Sequence, residues 1–246
     1  MKKLAIIMYM AALFSTGMAQ TTTQILDKVQ KNERISSSKS YVKQTITTSN
    51  GSKRTLEMVS YTKDYNKLQL SIYKNPARVN GDKILMTDNG DNIWFYTPKT
   101  DRVRHLASHA KKQKVQGSDF SYEDFENWDY KNDFKSTLLG KEKSGSCTCY
   151  KIKLVPTESG PHYSQMIMWV DTEKYIVHKA DYYEDGELLK SLECKDIKKI
   201  ENHWYAMTLI MTNKQDGGST AITTTNIQIG IGLDDNMFTT NYLTKR

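Results

Sequence analysis

Along much of the chain apolar and polar residues alternate singly. Leu68, Leu70 and Ile72 alternate with Lys67, Gln69 and Ser71, and Tyr150, Ile152 and Leu154 alternate with Lys151 and Lys153. A period of two gathers the apolar set on one face, the mark of a half-buried antiparallel strand. The same pattern predicts strands at 41–48, 55–61, 83–87, 92–96, 165–170, 177–183, 188–197, 204–212 and 221–229. A different period opens the segment after residue 20: Ile25, Leu26 and Val29 lie on one helical stripe, with Thr21 to Thr23 available to cap it. Asn50-Gly51, Asn80-Gly81, Asn89-Gly90, Asp185-Gly186 and Asp216-Gly217 are hairpin signals, and 98–101 is a turn. About ten or eleven strands therefore follow one another as a meander. No linker, repeat or low-complexity tract divides residues 20–246, which read as one domain. A sheet of that size curls toward a barrel or half-barrel.

Some strands are apolar on both faces. In MIMWV, Met166, Met168 and Val170 face one way, Ile167 and Trp169 the other. Tyr205, Met207, Leu209 and Met211 share a face, as do Trp94 and Tyr96. Two explanations stand: core strands covered by a helix, or a lipophilic cavity lined by adaptable methionines. On the second, the lining residues are Met58, Leu70, Trp94, Tyr96, Met168, Trp169, Met207, Leu209 and Met211.

Residues 1–19 change the compartment. Lys2 and Lys3, an apolar run from Leu4 to Phe14 and the small residues before Ala19 predict a cleaved secretory signal peptide. Without Lys2 and Lys3 the 35 Lys and Arg fall to 33 against 28 Asp and Glu, a net charge of +5. That mild excess suits an anionic partner or surface and is also ordinary for solubility. Export permits disulfides, but Cys147, Cys149 and Cys194 are odd in number, so either one pair bridges or all three are free. Cys147 and Cys149 share a strand face, and with no histidine beside them they are a weak zinc signal.

The stretch 102–125, RVRHLASHAKKQKVQGSDFSYEDF, is basic and then abruptly acidic and aromatic. His105 and His109 have helical spacing for a metal pair, but no glutamate sits between them as a zinc protease requires, so no metal is expected. Export and the absence of aromatics among the cations argue against nucleic acid. There is no Gly-x-Ser-x-Gly elbow and no phosphate-binding glycine loop. Asp119, Glu123 and Asp124 are expected at the start of a helix capped by Ser118 or Ser121, where acids complement the dipole. No enzyme and no cofactor are expected.

WFYTPKTDRVRHLASHAKKQKVQGSDFSYEDF closely resembles the segment typical of the outer membrane lipoprotein-sorting protein family. Tyr96, Pro98, Arg102, Arg104, Ser108, His109, Lys111, Lys112 and Gly117 to Asp124 carry the match. MIMWVDTEKYIVHKADYYEDGELLK, HWYAMTLIMTN and MFTTNYL are similar too, while His105 and Cys-Thr-Cys depart from the pattern. The resemblance implies a mainly β fold with few helices: a strongly curved antiparallel sheet forming an incomplete barrel closed by helices. It implies a periplasmic carrier for the acyl chains of a lipoprotein or lipid, serving an inner-membrane transporter and an outer-membrane acceptor. The alternative is a non-transporting envelope module that binds protein, partnering an inner-membrane lipid exporter. In the carrier, 102–125 becomes a lid or partner contact formed by Arg102, Arg104, His109, Lys111, Lys112, Gly117, Asp119, Phe120 and Tyr122. Gly117 is its hinge, and Phe120, Tyr122, Phe125 and Trp128 plug an empty cavity.

Overall fold

The computed structural model describes residues 20–245; the expected signal peptide, residues 1–19, lies outside the described residues. Among the described residues, thirteen strands form one antiparallel sheet. They are β1 (Ser37–Thr47), β2 (Lys53–Lys63), β3 (Leu68–Asn75), β4 (Lys83–Thr87), β5 (Asn92–Thr97), β6 (Arg102–Leu106), β7 (Phe134–Ser144), β8 (Cys147–Pro156), β9 (Gln165–Asp171), β10 (Val177–Glu184), β11 (Glu187–Ile200), β12 (His203–Asn213) and β13 (Ser219–Ile229). The order is β6-β5-β4-β3-β2-β1-β13-β12-β11-β10-β9-β8-β7. The sheet is therefore two meanders joined where β1 pairs with β13, and it does not close: β6 and β7 remain edges. Each hairpin signal joins the strands it was expected to join. At Asp185-Gly186 both residues have positive φ, as a tight primed turn requires.

Two strands exceed the expected ten or eleven. β7 was hidden because it is an edge strand whose residues after Phe134 are mostly solvent-facing. A register shift between Leu138 and Gly140 also breaks its alternation. β6, RVRHL, is short and largely charged.

Helix α1 (Thr22–Glu33) begins with a capping box: Gln24 N donates to Thr21 Oγ1 and Thr21 N to Gln24 Oε1. Its stripe Ile25, Leu26 and Val29 is buried on the concave side of the sheet, with Phe134, Ile152, Met168 and Ile222. Each such side chain contributes about 1.5–3 kcal/mol. The other α-helix, α2 (Thr240–Leu243), is one turn long. Closure is thus less helical than expected. The basic piece 108–112 is a 3-10 turn, and the acidic piece is the single 3-10 turn Tyr122–Phe125, capped by Ser121 with Asp124.

The second apolar faces are covered, each differently. Over β3–β5 the C-terminal segment brings Phe238 and Leu243 onto Leu70, Leu85 and Tyr96. Lys83 Nζ donates there to the carbonyls of Tyr242, Leu243 and Lys245 at 3.3, 2.9 and 2.6 Å, fastening the end of α2. On β9, Ile167 and Trp169 pack with Cys149, and the ammonium groups of Lys179 and Lys151 lie 4.2 and 5.1 Å from the Trp169 ring.

Candidate functional site

Residues 107–133 run from edge to edge across the concave face as a strap. Val115 and Tyr122 enter a cluster with Ile46, Leu56, Met58, Tyr73, Ile84, Met86 and Ile93, filling the half built on β1–β5. Phe120 enters the other cluster and stacks 5.5 Å from Phe125. Polar groups hold the strap. Asp119 Oδ2 accepts from Thr220 Oγ1 at 2.7 Å, and Asp119 N donates to the same hydroxyl at 2.9 Å. Arg54 donates to the Gln116 carbonyl. Lys190 Nζ meets Asp124 Oδ2 at 2.6 Å with both side chains buried, and Tyr163 donates to Asp124 Oδ1 at 2.7 Å. Glu123 accepts from the His162 N–H at 3.2 Å and sits 3.1 Å from its Nδ1. The acids expected merely to complement a helix dipole are thus the strap's anchors.

Beyond the strap, under the C-terminal end of α1, the concave face is left uncovered. A cavity of about 460 Å³ opens there, within the size range of small-molecule sites. Its apolar wall is Met166 and Met168 from β9, Tyr182 from β10, Leu192 from β11, Met207 and Leu209 from β12, and Trp128 and Tyr130 from the strap. Ser38, Ser40, Thr62, Asn66 and Gln69 supply a polar side. Two buried donors on the wall, Trp128 Nε1 and Tyr205 Oη, have no hydrogen-bond partner among the described residues. Such groups are costly unless something pairs with them.

Glu33 ends α1 and lines this space as an exposed residue. Surrounding protein nevertheless desolvates it: burial pushes the carboxyl up to about 7, against the pull of the Tyr130 hydroxyl 3.4 Å away. Burial also raises the Cys194 thiol to about 12, with Glu33 as the secondary cause. It holds the phenols of Tyr130 and Tyr182 well above their ordinary range.

Of the nine residues expected on a cavity wall, Met168, Met207 and Leu209 are on it. Met211 shares their face but is fully buried in the core beside Ile222. Met58 is on the concave side in the half that Tyr122 fills. Leu70, Trp94 and Tyr96 face the C-terminal segment and Trp169 faces Cys149, so all four look away from the cavity. Strand pattern alone does not say which of two apolar faces turns inward. Two wall residues outside the expected nine carried signals in the sequence. Met166 has the parity of Met168, and Glu33 continues the stripe Ile25, Val29 at steps of four, an acid where the pattern calls for a hydrophobe.

The expected lid residues are dispersed. Arg102 and Arg104 are exposed on edge strand β6, with the Arg104 guanidinium 5.4 Å from the Phe95 ring. His109 falls in the turn 108–112. Lys111 lies 2.9 Å from both Asp91 and Glu126, and Lys112 3.5 Å from Glu184. Gly117 has φ +69°, and a Cβ there would come within 2.6 Å of Arg54 Nη2. Phe120 and Tyr122 are buried. Phe125 and Trp128 are half-buried against the core. The three cysteines are free thiols. Cys147 gathers with Asp171 and His178, a histidine supplied from β10, on the face opposite the cavity.

A family model described as "-like: Uncharacterized protein" matches residues 65–245. No match was found among curated proteins. A crystal structure assigned as an outer membrane lipoprotein-sorting protein domain, from Vibrio parahaemolyticus, superposes with a TM-score of 0.84 at 25% identity, covering 90% of this chain and 97% of that one. A DUF1329 family protein from Desulfovibrio piger gives 0.83 at 26% identity, covering 89% and 96%. A LolA superfamily protein from Nitrosomonas europaea shares the fold, with a TM-score of 0.76 at 20% identity over 91% and 100% of the two chains. The chain belongs to the family matched over residues 65–245, and it shares the fold of these three structures.

Proposed function

We propose that this protein is a non-enzymatic periplasmic carrier that shelters the acyl chains of a lipoprotein or lipid and moves them toward the outer membrane. The observation that carries this is the uncovered stretch of the concave face: a cavity walled by Met166, Met168, Leu192, Met207 and Leu209. A buried methylene is worth about 0.8 kcal/mol, so a chain of about fifteen carbons stands to lose about 12 kcal/mol in water. A carrier has to offer that chain an apolar concavity. Trp128 Nε1 and Tyr205 Oη suit the ester or amide carbonyl that joins an acyl chain to its head. Lys190 pairs with Asp124 and His162 with Glu123, which supports a structural rather than a catalytic use of the strap's acids.

Lipid extracted from the purified mature protein is expected to contain acylated molecules by mass spectrometry. The delipidated protein is expected to bind a hydrophobic dye that an acylated peptide displaces. Protein free of lipid that binds neither dye nor peptide would overturn the proposal. The two sheet edges favour a second reading, a protein-binding envelope module that partners an inner-membrane lipid exporter. β6 and β7 each present unpaired backbone groups on which a partner strand could add. On that reading the edges bind protein while the cavity stays empty of lipid.

A further inference from the structure

We infer that the cavity selects an acyl-bearing molecule whose polar end, beside Glu33, is a cation or a neutral hydrogen-bond donor, and rejects one whose end is anionic. This rests on the carrier reading and names its cargo class. Its basis is the sign of the wall. The residues lining the cavity include Glu33, Asp124 and Glu126 but no Lys, Arg or His. Two of the acids are already matched, Asp124 by Lys190 and Glu126 by Lys111. Among the described residues no cation lies within ion-pair distance of Glu33, whose carboxyl meets only the Tyr130 hydroxyl.

The backbone adds the same sign. Asn32 and Glu33 form the last turn of α1 and line the cavity, so the negative end of the helix dipole is directed there. Anions are disfavoured at such an end, and cations and donors are favoured. The neighbours supplied by other elements do not reverse this. Tyr130 from the strap, Tyr182 from β10 and Cys194 from β11 are all held neutral by burial. His203 of β12 sits 3.0 Å from the Asn32 carbonyl through Nδ1. Lys31 and Arg34, beside Glu33 in sequence, are exposed and off the wall. Desolvation pushes the carboxyl up to about 7, so an ionised Glu33 awaits a cation above that pH and a protonated one a neutral partner below it.

The test compares dodecylamine, dodecanol and dodecanoate as competitors of a bound hydrophobic dye at pH 8, on the wild-type mature protein and on Glu33→Gln. The amine is expected to displace the dye at least tenfold more tightly than dodecanoate. Glu33→Gln is expected to lose most of that preference. With wild type alone, the preference for amine over alcohol is expected to grow as pH rises from 5.5 to 8, a readout that needs no variant. Equal or tighter binding of dodecanoate, or an order unchanged by both pH and Glu33→Gln, would overturn the inference while leaving the carrier reading intact. Failure of every twelve-carbon probe and of the dye would overturn both.

Discussion

The two halves of the concave face are built alike and finished differently. In the half on β1–β5, inward residues such as Leu56, Tyr73 and Ile93 are covered by Val115 and Tyr122 of the strap, and the space is solid. In the half on β8–β13, α1 covers Ile152, Met168 and Ile222 but ends at Glu33. There the inward faces of β11 and β12 look onto open space: every residue of β12 from His203 to Ile210 is only half-buried. The strands do not decide between core and cavity; the length of the cover does.

The largest expected effect tests what holds the filled half shut. Asp124→Ala leaves the Lys190 ammonium buried and unmatched, which costs about 3–5 kcal/mol. Chemical denaturation is expected to show that loss. Limited proteolysis is expected to cut within the strap before the rest of the chain. Asp124→Leu combined with Lys190→Met is expected to recover most of the stability. If the single variant is as stable as wild type, the ion pair does not anchor the strap.

Next comes the contrast between walls. Leu56→Ala, in the filled half, is expected to cost about 2–5 kcal/mol, because the cavity it leaves cannot collapse. Leu209→Ala, on the open wall, removes a side chain that already faces space and is expected to cost under about 1 kcal/mol. Equal losses in denaturation midpoint would erase the distinction between the halves.

A smaller stability effect carries a large binding effect. Met207→Trp adds volume on the open wall. It is expected to weaken hydrophobic dye binding about tenfold, a change of about 1.4 kcal/mol. Its Tm is expected to shift by less than about 3 °C. Unchanged dye affinity would place the bound dye elsewhere than the cavity.

How far these differences were legible depends on what enforces each feature. β4 was plain from residues 83–87 alone, because its ends are pinned by Asn80-Gly81 and Asn89-Gly90 and its pairing is local. β7 was not, since an edge strand with a bulge at Gly140 has no strict alternation to read. The strap's expected helix shrank to one 3-10 turn because the bonds that fix it are tertiary: Thr220 and Lys190 come from strands about 65 to 100 residues away. Met207 and Leu209 were found by parity. Leu70, Trp94 and Tyr96 were misplaced because their cover, Phe238 and Leu243, lies at the far end of the chain. Glu33 was visible in principle, as the polar residue that closes an apolar helical stripe.

Glu33 also supplies the subtlest distinction, one of pH alone. Desolvation by the surrounding protein pushes its folded carboxyl up to about 7, from the usual 4.5. Between those values the folded protein holds a proton that the unfolded chain has lost, so stability falls as pH rises from about 4.5 to about 7 and levels off above. Glu33→Gln removes this titration. The variant is expected to match wild type near pH 4.5 and to exceed it in Tm at pH 8, with the gap opening across that window. Leu56→Ala, lacking any such group, is expected to lower stability by the same amount at both pH values. A Glu33→Gln protein whose Tm runs parallel to wild type from pH 4.5 to 8 would mean that water in the open half solvates the carboxylate freely, and that this half is wet surface rather than apolar shelter.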